Sequence, residues 1–158
     1  MSRTTFSGPV TSDAGFNGPV VVDSSTFNTG GAVTSTLTAA QSGTLFEVDG
    51  TGDIVVNMPA LSTGNVGLTY EFFVTTAVGA GTTVTFVLPG SGVSNWFGAL
   101  QLLAGSAANP VNDIAGDTLT LANSTLVNSR VNITCVSDDG TNSTWKAETV
   151  SSPVATIA

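Results

Sequence analysis

The clearest pattern in the chain is a two-residue alternation. In "LTYEFFVTTAV", Leu68, Tyr70, Phe72 and Val74 fall on one face, and Thr69, Glu71, Phe73 and Thr75 on the other. After Gly79-Ala80-Gly81, "TTVTFVLP" alternates again with Val84, Phe86 and Leu88 together, and the pair reads as a hairpin. "TLFEVDGTGDIVVNMP" predicts a second hairpin. There Phe46 and Val48 precede a turn at Asp49-Gly50-Thr51-Gly52, Ile54, Val56 and Met58 follow it, and Pro59 ends the run. Further on, "DTLTLAN" aligns Leu119 with Leu121, and "SRVNITCVS" aligns Val131, Ile133 and Cys135. After a turn at Asp138-Asp139-Gly140, "STWKAETV" aligns Trp145, Ala147 and Thr149. Residues 89–116 are less regular, and "SNWFGALQLLAG" fits a short strand or a helical turn.

About eight short strands separated by Gly, Asn and Asp turns predict an all-β fold, an antiparallel β-sandwich or barrel of jelly-roll type. Residues 1–38 read differently. They show no helical period, Pro9 and Pro19 favour extended backbone, and only Val20-Val21-Val22 suggests a short strand. The expected division is an extended N-terminal arm at 1–38, a β core at 39–150 and a short tail at 151–158.

Composition narrows the function. Of 158 residues, 41% are hydrophobic and only 9% charged, against about a quarter in ordinary domains. The net charge is −8, and Arg3, Arg130 and Lys146 are the only basic residues. Such a surface repels phosphate backbones and anionic lipid, so neither nucleic acid nor membrane is an expected partner. No apolar stretch predicts a signal peptide or a membrane span, which implies synthesis in a cytoplasm.

Histidine is absent, which removes His-based nucleophilic catalysis and His-ligated metal sites. No phosphate loop or dinucleotide fingerprint is present. A carboxylate pair would suffice for glycoside hydrolysis. However, Asp49, Asp53, Asp138 and Asp139 stand where hairpin turns need Asp, and none has calcium-loop spacing. Neither enzymatic activity nor a cofactor is therefore expected. Cys135, the lone cysteine, reads as a buried small hydrophobe. Trp96-Phe97 fits two roles, a cap on the core or an exposed contact patch able to stack on a sugar.

The opening segment repeats itself: Phe6-Ser7-Gly8-Pro9-Val10 returns as Phe16-Asn17-Gly18-Pro19-Val20. An extended chain covers roughly 30–35 Å over that ten-residue period. Phe6 and Phe16 suit apolar pockets on a partner, and Pro9 and Pro19 reduce the entropy lost on ordering. Arg3, Phe6, Pro9, Phe16, Pro19, Trp96 and Phe97 are the candidate partner-interface residues.

"TTFSGPVTSDAGFNGPV" resembles the opening of small virion proteins of tailed phages, especially marine and cyanobacterial ones. "GDTLTLANSTLVNSRVNITCVSDDGTNSTWKAE" is similar to a β-module of phage head and fibre proteins, although Ser143-Thr144 here separate Gly-Thr-Asn from Trp145. The resemblance implies a capsid decoration, or cement, protein on the outer surface of the virion. Such a protein forms a homotrimer and bridges subunits of the major capsid protein. The alternative is a tail-fibre or receptor-binding module that recognises host glycans through Trp96.

Overall fold

The computed structural model describes residues 21–90, 93–102, 109–114, 117–121, 127–151 and 155–157. The alternation seen in the sequence becomes burial. Phe46 and Val48 on β3 (Thr44–Asp49) point inward, as do Ile54 and Val56 on β4 (Ile54–Asn57). Tyr70, Phe72 and Val74 on β5 (Thr69–Thr76) do the same, and so do Val84 and Phe86 on β6 (Val84–Val87). The remaining described strands are β1 (Val21–Phe27), β2 (Val33–Thr36), β7 (Ser94–Leu102), β8 (Asn109–Ile114), β9 (Thr118–Leu121), β10 (Arg130–Asp138), β11 (Ser143–Ser151) and β12 (Ala155–Ile157). The described residues contain no α-helix, only two 3-10 turns at Ala39–Gln41 and Thr63–Asn65. The all-β expectation holds.

The pairing, however, is mixed rather than antiparallel. Sheet A has the order β1-β3-β5-β10-β11-β7-β8, and sheet B the order β12-β9-β6-β4-β2. From β1 to β6 the chain alternates between the sheets, so β1, β3 and β5 lie parallel in A and β2, β4 and β6 parallel in B. Neither predicted hairpin forms: β3 and β4 lie in different sheets, as do β5 and β6. The result is three stacked rungs. Register steps from Val21 to Thr44 by 23 residues and from Leu45 to Glu71 by 26 in sheet A. It steps from Val33 to Ile54 by 21 and from Ile54 to Val84 by 30 in sheet B. The connecting turns stack as well. A Cβ on Gly52 would meet the backbone carbon of Gly31 at 2.3 Å, so glycine is required for the approach.

The second part of the chain covers this stack. β10 pairs antiparallel with β5 and with β11, and β9 pairs antiparallel with β6. One core lies between the sheets. Phe72 has its ring centroid 5.3 Å from Phe46 and 4.7 Å from Phe86, and Phe27 is 5.5 Å from Phe46.

Two boundaries change. Residues 21–37 are not part of an appended arm: β1 and β2 belong to the sheets, and Phe27 and Leu37 are core residues. Their polar, Ser- and Thr-rich outer positions hid an alternation that holds only at a few inward sites. The expected tail also joins the body, because Ala155–Ile157 pairs with β9.

Candidate functional site

The two sheets present unlike outer faces. On sheet A the half-buried or exposed positions include Glu47, Glu71 and Glu148. Its two cations are both engaged. Arg130 meets Glu71 at 2.9 Å and lies 5.2 Å from the Phe73 ring centroid, and Lys146 meets Glu148 at 2.7 Å. Pairs this exposed contribute little to stability. On sheet B, register aligns Thr34, Val55, Thr85 and Thr120 in one row and Thr36, Asn57, Val87 and Thr118 in the next. None of these eight is charged. That face can lie against another protein surface without desolvating an ion.

Of the acidic residues singled out as turn formers, Asp49 and Asp139 bond within their own turns, whereas Asp53 bridges to the next rung of sheet B. Asp49 accepts from the Thr51 N–H at 3.1 Å, and Asp53 from the Thr83 N–H at 2.9 Å. Asp139 accepts from the N–H groups of Asn142 (2.7 Å) and Thr141 (2.8 Å), which hold its carboxyl below the usual range. Asp138 is buried and does more than turn the chain. It accepts from the Ser62 N–H (3.1 Å), the Asn65 side-chain amide (2.9 Å) and the Gly140 N–H (2.8 Å). A shallow cleft of about 530 Å³ beside it is lined by Val66, Val136, Asp138, Asp139 and Asn142 among others. Both carboxylates there are already committed to N–H donors. Among the described residues no group of His, Cys, Asp or Glu is arranged to hold a metal ion.

Cys135 is buried, as expected, and burial, with Asp138 nearby, raises its thiol to about 11. Burial also raises Tyr70 to about 12, with Cys135 adding to it, and its hydroxyl donates to the Thr38 carbonyl at 3.0 Å.

Trp96 requires a correction. It is fully buried on β7, opposite Trp145 in the β7–β11 register, so it is a core residue and offers no stacking platform for a sugar. The core role is the one that holds, because β7 runs in register with β11 and Trp96 shares a face with the buried Trp145. Phe97 stands opposite Lys146 in the same register. Arg3, Phe6, Pro9, Phe16 and Pro19 lie outside the described residues.

Sequence reasoning missed the stacked rungs and the neutral face that they build. The signal was present: Phe27, Gly31, Val33 and Leu37 recur as Val48, Gly52, Ile54 and Met58, each 21 residues on. No protein-family profile, curated protein or solved structure matches the chain.

Proposed function

We propose that this is a non-enzymatic virion structural protein, a decoration or cement protein of a tailed-phage head. It binds the outer shell as a homotrimer and bridges neighbouring major capsid subunits. The observation that carries the reading is the pair of Phe-x-Gly-Pro-Val segments within residues 1–20, joined directly to β1, an edge strand of the body among the described residues. Two further features support it. Val21 and Val22, at the junction, are 63% and 50% exposed, which leaves apolar surface where the segment meets the body. The eight uncharged outer positions of sheet B suit close packing on protein, while the ion pairs on sheet A suit an outward, solvated position. Many modest contacts repeated over a lattice then sum to tight attachment.

The test uses the full chain and shells stripped of the protein. Replacing Phe6 and Phe16 together with alanine should abolish saturable shell binding while the near-ultraviolet spectrum of the buried tryptophans stays unchanged. Undiminished saturation by the double variant would overturn the reading. The glycan-binding alternative loses its main residue with the burial of Trp96.

A further inference from the structure

Among the described residues, β1 ends sheet A and β2 ends sheet B, both at the same end of the rung stack. The two edges are not equivalent. β1 is blunted by a register shift between Asp23 and Phe27, where the Asp23 carboxylate accepts from the N–H groups of Ser25 and Thr26, each at 2.9 Å. Such bulges spoil the addition of another strand. β2 has no bulge, no charge and no proline. The N–H groups of Val33 and Leu37 point toward β4, donating to Asp53 and Asn57 carbonyls at 2.9 Å. The two-residue period therefore turns those of Thr34 and Thr36 away from β4, to the side on which no strand pairs among the described residues, and both residues are exposed.

The sequence holds a segment matched to that edge. Stepping back from β2 by 23 residues, the spacing that separates Val21 from its partner Thr44, converts Val33-Thr34-Ser35-Thr36 into Val10-Thr11-Ser12-Asp13. The first three residues are identical. The turn that follows is not copied. After β2 the chain returns through Thr38–Gly43, in which Thr38 and Gln41 form a reciprocal cap, the Ser42 N–H donates to Ala39 at 3.1 Å and Gly43 has φ 82°. The same step puts Gly15 and Gly18 at the capping positions, Pro19 at Ser42 and Val20 at Gly43. Proline has no N–H to donate, and a β-branched residue is a steric outlier at that φ. The residues of the strand recur, but the residues that form the turn after β2 do not. A segment that fits an edge yet lacks the return turn suits exchange between copies.

We propose that Val10–Asp13 of one copy adds as a parallel strand to the β2 edge of a second copy, against the backbone of Thr34 and Thr36. This rests on the reading of the chain as a self-assembling shell component and names the contact that joins its copies. Residues 14–20 reach about 23 Å when extended. The exchange is head-to-tail, so it closes into a ring when the rotation between copies permits, as a trimer would.

The test mixes full chains carrying Thr11→Cys with full chains carrying Thr34→Cys, both with Cys135→Ala, under mild oxidation. A disulfide-linked pair joined between positions 11 and 34 is the expected main product. No linked pair, or a chain carrying both cysteines that closes only on itself, overturns the proposal. Thr34→Pro gives a second measurement. It removes an open-side N–H that β4 does not use, so the body should keep its β spectrum while association weakens by about tenfold or more. Unchanged association would also overturn it. The outcomes separate from those of the capsid reading: copies that cross-link but ignore shells keep the exchange and sink that reading, and shell binding without cross-links does the reverse.

Discussion

The stacked half, β1 to β6, and the covering half, β7 to β12, draw on the same Thr, Val and Gly alphabet but are held together differently. In the stacked half every described pair is parallel and every connection changes sheet, so no strand pairs with its neighbour in sequence. Its order depends on an inward aromatic column and turns that touch backbone to backbone. The covering half contains two antiparallel pairs of sequence neighbours, β7–β8 and β10–β11, and a local polar cluster. Ser94 and Ser143 hydroxyls lie 2.8 Å apart, and the Trp145 indole N–H donates to Ser143 at 3.1 Å. β5 and β6 are the seam, parallel to the stack on one side and antiparallel to the cover on the other. The difference implies that the stack should tolerate change at its outer positions and resist it where a side chain would enter the backbone contact between rungs.

The largest effect should come from the seam itself. Phe72 packs on Phe46, Phe27 and Phe86 and so joins both sheets of the stack. Phe72→Ala should cost about 3–5 kcal/mol in urea unfolding. Next come the turns. Gly52→Ala drives a methyl into the Gly31 and Ala32 backbone at 2.3–2.6 Å and should cost about 2–3 kcal/mol. Gly31→Ala has open space and no positive φ, so its unfolding midpoint should stay where it is or rise slightly. Equal costs for the two glycines would show that the turns do not stack.

This contrast explains what was legible in the sequence. Inward residues such as Phe46, Val56, Phe72 and Ile133 are marked by local alternation, because burial on one face of a strand imposes a period of two. Partner choice leaves no such local mark. Asp49-Gly50-Thr51-Gly52 satisfies hairpin chemistry, yet both hydrogen-bonding sides of β3 are taken by β1 and β5, which lie more than twenty residues away. Only the 21-residue recurrence of Phe27, Gly31, Val33 and Leu37 signals this. Trp96 misled for a related reason, since Gly98 beside it suggests a loop where the register with β11 runs unbroken from Ser94 to Leu102.

Asp138 links the halves directly. It sits at the end of β10 and holds Ser62 and Asn65, which belong to the segment between β4 and β5. Asp138→Ala strands those donors in a part-buried site and should cost about 2 kcal/mol. Amide exchange should accelerate around residues 62–66 while the Phe46–Phe72 region keeps its protection. Uniform loss of protection would instead mean that stack and cover unfold as one unit.

The smallest effect lies at the bulge of β1. Hydrogen bonding lowers the Asp23 carboxyl to about 2, the Thr26 hydroxyl contributing most, with the Thr26 and Ser25 N–H groups adding to it against a modest cost of burial. A carboxyl depressed on folding contributes stability that is present above its unfolded value near 3.8 and is lost as pH falls toward 2. The site is largely exposed, so solvent screening limits the contribution to about 1 kcal/mol or less. The wild-type chain should therefore lose a little more stability between pH 4 and pH 2 than Asp23→Asn, as read from urea midpoints. Because β1 is the blunted edge, the variant should also loosen the bulge without touching β2. If Asp23→Asn weakened association between copies as strongly as Thr34→Pro, the two edges would be acting together, and the distinction drawn between them would fail.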